Sequence, residues 1–422
     1  MLAAAARLAA VAVLAAAAST ALAAPATATA QTWAIQPAPG PSGPPNAALT
    51  GVACPSATFC MAIGSSDYGF DRFGDLQPPV ATFAADWNGS SWAVLPTPVA
   101  GVSPGLGSIS CASATFCIAV GATQSGGRTG VVDLGRGLHE HALVELWNGS
   151  AWTLQKTPLS SVRGSGLSDV ACVSSSFCVA VGSSGLVWNG TAWRQLKLPS
   201  VKYGSSLAAI ACPAVDSCMA VGTYNPYKRG VEGSLPLAAR WNGRRWTLAR
   251  PPTELDRYRG KLYPNNTWLT SIACPSQSSC LATGQAERTQ NFYPQGGFAI
   301  RWNGRSWATA TSGILRDSPL NGVSCLSTDD CFAAGQYDVR TIPSPSTQQP
   351  LLLNWTGSRW QRVAIPPVAT LVTKSWSVAN DVNPDFFGIS CVPASGCTAV
   401  GAQPGGTASL PLVLSDLAAS AG

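Results

Sequence analysis

The chain is 422 residues long, 46% apolar and only 11% charged, with 14 cysteines and a formal net charge of +6. Such a composition excludes a disordered chain, which would be charge-rich and poor in aromatics. A surplus of this size over this length marks out no polyanion, and no nucleic-acid partner is expected.

Residues 1–30 carry one basic residue, Arg7, then an Ala/Leu/Val run with two small-x-small sites, Ala21-Leu22-Ala23 and Ala28-Thr29-Ala30. This predicts a secretory signal peptide cleaved near residue 23 or 30, and a mature protein that is secreted or held at the cell envelope. No later stretch reaches about eighteen consecutive apolar residues, so no transmembrane segment is expected.

Beyond the leader the chain repeats itself. A C-x5-C unit, VACPSATFCMAIG, begins at Val52 and recurs from Ile109, Val170, Ile210, Ile272, Val323 and Ile389. A second unit, W-N-G-x-x-W, spans Trp87–Trp92, Trp147–Trp152, Trp188–Trp193, Trp241–Trp246 and Trp302–Trp307, and Trp355–Trp360 with Thr356 for Asn. The seventh copy is missing after LPLVLSD at Leu410, whereas QTWAIQPAP around Trp33 matches SWAVLPTP around Trp92. Such an offset serves a closed ring, in which the first strand completes the last repeat and leaves no open edge.

Each repeat reads as four strands. Strand A ends at the first Cys, B is the Cys-x-Ala-Val-Gly run, C alternates into the first Trp, as in HALVELW, and D starts at the second Trp. Asn-Gly between C and D signals a hairpin turn, because both residues tolerate positive φ. The fold class is therefore all-β: a seven-bladed β-propeller of four-stranded antiparallel blades over residues 31–417, closed by the N-terminal strand, with a short tail at 418–422.

These units resemble the secreted bacterial β-propeller repeat proteins built on SCxSxxxCxAVG and WNGxxW. They are more distantly similar to Asp-box (sialidase-like) and kelch propellers, through the Gly-x-x-Trp of Gly89–Trp92. The Asp-box aspartate is absent, with Asn88 before the glycine instead.

All fourteen cysteines fall in the repeat. Identical spacing makes local pairing the economical choice: Cys54/Cys60, Cys111/Cys117, Cys172/Cys178, Cys212/Cys218, Cys274/Cys280, Cys325/Cys331 and Cys391/Cys397. The expected role of each bridge is to pin the A–B turn. Zinc sites favour spacings of about two to four residues, so the pairs do not read as metal sites. His139-Glu140-His141 holds the only two histidines but lacks a third ligand. No metal and no cofactor are expected.

Strands alternate in direction, so the repeated A–B and C–D turns share one face and the variable B–C and D–A loops the other. Variable loops on a rigid scaffold carry binding. Aromatic and polar residues there, Tyr68, Arg72, Tyr227, Arg257, Tyr258, Trp268, Arg288, Tyr293, Trp376 and Asp385, suit a glycan or a protein. Repeat 3 has almost no B–C loop between Gly182 and Trp188, which predicts a notch in the rim. The expected function is a monomeric, non-catalytic binding or scaffold propeller. A glycan-active hydrolase or lyase would instead need two carboxyls facing across a pocket, drawn from Asp71, Asp75, Asp133, Glu140, Glu232, Glu287, Asp338, Asp381 and Asp385. A purely structural envelope protein is the third reading. Gly101–Gly105 matches G-x-S-x-G but lacks the strand-turn-helix context of a nucleophile elbow. Arg240, Arg244, Arg245 and Arg250 cluster around one W-N-G turn.

Overall fold

The computed structural model describes residues 32–38, 40–42, 45–67, 80–125, 139–201, 204–226, 233–253, 255–258, 261–264, 266–287, 296–311, 313–314, 318–339, 347–368, 384–405 and 408–416. For residues 102, 125, 139, 255–258, 261–264 and 347 only the backbone is described. Among the described residues every regular element is a strand, and the strands form seven four-stranded antiparallel sheets and one two-stranded hairpin. Blade 1 shows the plan: strand A is Asn46–Ser56, B Phe59–Asp67, C Ala81–Trp87 and D Trp92–Pro96. The A strands of all seven blades line one central channel. The protein is a seven-bladed β-propeller.

Blade 7 is built from both ends of the chain. Its first three strands are Asp385–Val392, Gly396–Pro404 and Ser409–Ser415, and its fourth is Ala34–Gln36. Ala34 pairs with Ser415, Ile35 with Leu414 and Gln36 with Val413. The offset of Trp33 thus corresponds to ring closure.

All seven disulfides join the predicted pairs, and no free cysteine remains. Each bridge spans an A–B turn and is also anchored in the core. The second cysteine of every pair, Cys60, Cys117, Cys178, Cys218, Cys280, Cys331 and Cys397, is buried at 0–3% exposure. The first, Cys54, Cys111, Cys172, Cys212, Cys274, Cys325 and Cys391, is half-buried. The second cysteine lies in the first two residues of strand B, a strand covered on both faces by its neighbours. Cys60 packs with Val400 and Val413 of blade 7, and Cys117 with Met61 and Ile63 of blade 1. These cysteines are therefore structural and form no accessible thiol or metal site.

The glycine ending Cys-x-Ala-Val-Gly has a steric cause. In each strand A the residue four before the first Cys drops out of the ladder, as Thr50 does between the Leu49–Gly64 and Gly51–Ile63 pairs. The same bulge recurs in the other six blades. It drives a backbone carbonyl onto strand B: a Cβ at Gly64, Gly121 or Gly284 would collide with the carbonyl oxygen of Ala48, Gly105 or Trp268. Only glycine fits there.

One local expectation changes. Strand C does not alternate: Thr82–Ala85, Phe298–Ile300 and Leu351–Leu353 are buried throughout. Stacked blades cover both faces of each sheet, so nothing selects a polar side. The W-N-G-x-x-W turn is a four-residue loop, with Trp87 paired to Trp92, in which glycine takes positive φ (Gly89 at 95°) and asparagine does not. Asn88 acts through its side chain, its Oδ1 accepting from the amides of Ser90 and Ser91 at 3.0 Å each.

The tryptophans hold blade to blade. Within each W-N-G blade the two rings lie 5.5–5.9 Å apart. Trp147 and Trp152 share a core with Met61 and Ile63 of the preceding blade, and Trp302 and Trp307 with Met219 and Val221. Serines stitch the inner strands. The amides of Cys172, Cys391 and Cys54 donate, each at 3.0 Å, to Oγ of Ser110, Ser324 and Ser390 in the preceding blade. These are the serines of the S-C motif. Ser324→Ala is expected to lower the unfolding free energy by about 1 kcal/mol in guanidinium titration, the net value of one such bond.

Candidate binding face and channel

A Cβ on Gly149 or Gly243 would lie 3.0 Å from the Thr115 side chain or 3.1 Å from that of Asp216, so C–D turns sit on A–B turns. The two kinds of repeated turn share a face, and the B–C and D–A connections lie on the opposite one.

Of the residues expected to bind there, Tyr68, Arg72, Tyr227, Arg288, Tyr293 and Trp376 lie outside the described residues. Arg257 and Tyr258 belong to a strand, Leu255–Tyr258, paired with Lys261–Pro264. The connection from blade 4 to blade 5 thus carries its own hairpin, which no turn signal had suggested. Trp268 is half-buried in strand A of blade 5, opposite Gln285. Asp385 is buried at the start of strand A of blade 7, where both carboxylate oxygens accept from Nδ2 of Asn321, at 3.0 and 3.1 Å. Burial pushes its pKa up to about 7, against the hydrogen bonds from Asn321 and from its neighbour's amide. It ties blade 6 to blade 7. Of the candidate carboxylates, Asp71, Asp75, Asp133, Glu232 and Asp381 lie outside the described residues, Glu140 is exposed, and Glu287 and Asp338 are half-buried.

Blade 3 is short where the sequence predicts a notch. Its strand B ends at Gly182 and its strand C is only Gly185–Trp188, whereas strand C of blade 2 runs His139–Trp147. A groove of about 260 Å³ lies there. Its walls are the Gly182–Gly185 turn, the Gln195–Ser200 segment, and Ser205 and Leu207 of blade 4. Leu196, Leu198 and Pro199 are half-buried, while Gln195, Lys197 and Ser183 are exposed. The groove thus sets an aliphatic wall beside the exposed Ser183 and Ser200.

The channel is a cavity of about 380 Å³ lined by small polar residues, including Thr50, Ser168, Thr270 and Asn321 at the bulge positions. Sequence reading missed Asp169 in its wall. Its Oδ1 accepts from Ser108 Oγ in blade 2, and from its neighbour Val170 N at 2.8 Å; its Oδ2 accepts from Ile210 N in blade 4 at 2.6 Å. One carboxylate thereby joins three blades. Burial still pushes its pKa up to about 6, with the three hydrogen bonds opposing. The only clue in sequence is an acid amid small and aliphatic residues in LSDVAC. Among the described residues no three His, Cys, Asp or Glu side chains are grouped to hold a metal ion.

The fold is shared with YCF48 from Cyanidioschyzon merolae, at 11% identity, covering 91% of this chain and 98% of that one, with a TM-score of 0.51. More remote likenesses are to a structure of YCF48 bound to D1 peptide (10% identity, 91% and 96% covered, TM-score 0.46) and to the mitotic checkpoint complex (9% identity, 86% and 88% covered, TM-score 0.45). At these identities the likeness speaks of the fold alone. No protein-family model matches the chain, and no curated protein matches it in sequence.

Proposed function

We propose that the protein is a secreted, non-catalytic binding propeller whose ligand is another protein, held on the B–C/D–A face with an extended segment in the groove over blade 3. The groove carries this reading. It lies on the face where the blades differ, it is open because blade 3 lacks the strand extensions of its neighbours, and among the described residues none of those lining it is aromatic. A sugar site would call for such a ring to stack on. The seven disulfides agree with export into an oxidising compartment, with the leader cleaved after Ala23 or Ala30.

The test pans a random peptide library against the oxidised mature protein, with a glycan array in parallel. Selected peptides are expected to lose at least about tenfold in affinity to Ser183→Trp, which fills the groove from an exposed turn. Thermal unfolding of that variant should match wild type. Peptides that bind the variant equally well would remove the groove from the site. Glycan retention lost in Trp268→Ala or Trp376→Ala would move the ligand class to carbohydrate, and product release from a glycan would make the protein an enzyme.

A further inference from the structure

The repeated face, opposite the groove, is electrically lopsided. Residues 46–200, which hold blades 1–3, contain 7 Lys and Arg against 8 Asp and Glu; residues 205–368, blades 4–6, contain 16 against 9. The C–D turns show where part of the surplus sits. In blades 1–3 the two residues after W-N-G are Ser90-Ser91, Ser150-Ala151 and Thr191-Ala192; in blades 4–6 they are Arg244-Arg245, Arg305-Ser306 and Ser358-Arg359. All four of these arginines are exposed. Turn geometry does not require them, because neutral residues make the same Asx turn: Asn148 accepts from Ser150 and Ala151, both at 3.0 Å, as Asn242 does from Arg244 and Arg245 at 3.1 and 3.0 Å.

Neutralisation nearby is sparse. Arg301, just before the first Trp of blade 5, reaches blade 6, where it donates to the Gly357 carbonyl at 3.4 Å and pairs with Asp329 at 3.3 Å. Arg240 holds the same position in blade 4, but blade 5 offers Ser278 where blade 6 has Asp329. Asp330 is engaged by Asn354 Nδ2 at 2.7 Å. Asp216 is left as the exposed acid of these turns. Among the described residues Arg240, Arg244, Arg245, Arg305 and Arg359 have no ion pair.

We infer that this arc across three consecutive blades binds a linear extracellular polyanion, of the chemical class of phosphodiester- or uronate-bearing glycopolymers. Cations repeated once or twice per blade match a chain with regularly spaced anions, and several weak contacts add up along it. Exposed unpaired arginines are worth little singly, so the attraction is collective and salt-sensitive. The oxidising compartment implied by the disulfides favours an envelope polymer over nucleic acid. The arc lies on the face away from the groove, so it stands or falls independently of the protein-binding reading.

The experiment uses the oxidised mature protein and the variant Arg244→Ser/Arg245→Ser/Arg305→Ser/Arg359→Ala, which gives blades 4–6 the residue types found in blades 1–3. Far-UV circular dichroism and thermal unfolding should be unchanged. Long-chain polyphosphate and heparin are expected to bind wild type at low salt and to be released by salt. The variant should bind at least about thirtyfold more weakly and with a shallower salt slope, since each lost contact releases fewer counterions. Three results would overturn the inference: no binding of either polymer by wild type at 50 mM salt, about a third of physiological ionic strength; equal binding by the variant; or binding of polyaspartate alone, which would mark an acidic protein as the partner.

Discussion

Trp33→Ala is expected to cost about 4 kcal/mol of stability, the usual loss when a buried tryptophan is truncated. Trp33 is 7% exposed and its ring lies 5.7 Å from that of Phe332 in blade 6, within a core that also holds Leu352, Phe386 and Leu412. Position makes the change worse than truncation alone. The closing strand has only three residues, Ala34–Gln36, and Trp33 is its main apolar anchor. The strand also reaches onward to blade 1, where Trp92 Nε1 donates to Gln36 Oε1 at 2.7 Å. Loosening it exposes the edge of Ser409–Ser415 and both neighbouring seams. Guanidinium titration should show the loss, together with faster proteolysis near the N-terminus. A cost below about 1 kcal/mol would mean that the ring holds without its first strand. Trp360→Ala is the comparison, because Trp360 is also buried but anchored inside a covalently continuous blade.

What the sequence shows and hides follows from where the physics repeats. The C-x5-C pairs, the glycine of Cys-x-Ala-Val-Gly and the W-N-G turn each answer a demand made once per blade, so seven copies make the pattern plain. Spacing alone paired Cys60 with Cys54, but it could not tell that Cys60 faces a seam, because the residues covering it belong to blade 7. The closing strand was legible because Trp33 is a fragment of that pattern out of place. The notch was legible as a missing length between Gly182 and Trp188. Seam chemistry was not. Whether Asp169 is a ligand or a brace depends on Ser108 and Ile210, residues of two other blades that its own repeat does not specify. The contact of Asp385 is hidden for the same reason, since only the structure places Asn321 beside it. The loop residues have no periodicity to read, and most of those expected to bind lie outside the described residues. Strand C misled because alternation is informative only for a sheet with one wet face, and a blade inside a propeller has none.

That last failure hides the most consequential single residue. Glu145 lies opposite Ala119, the position that in the other blades holds Ala85, Leu186, Ala239, Ile300, Leu353 and Leu414. It is fully buried, and neither carboxyl oxygen has a hydrogen-bond partner among the described residues. Cross-strand partners share a face, and Ala119 packs in the seam between blades 1 and 2 with Met61, Ile63 and Ala84. An ion in that surrounding is costly, and desolvation pushes the pKa of Glu145 from 4.5 up to about 7. Below pH 4.5 the group is protonated in both folded and unfolded chains and carries no penalty. Between pH 4.5 and 7 only the folded protein keeps the proton, so stability falls as pH rises; above 7 the full penalty of about 3 kcal/mol remains. Glu145→Gln is expected to match wild type at pH 4.5 and to exceed it by about 3 kcal/mol at pH 8 in guanidinium titration, and Glu145→Leu should exceed both. The raised carboxyls Asp169 and Asp385 are present in both proteins, so their contributions cancel in the difference. A variant that tracks wild type across this range would show that Glu145 finds a partner or water in the seam. The stability of this seam changes most steeply with pH between the two pKa values, at about pH 6, where the folded chain holds the proton and the unfolded chain has lost it, and the slope has fallen to about half by pH 7.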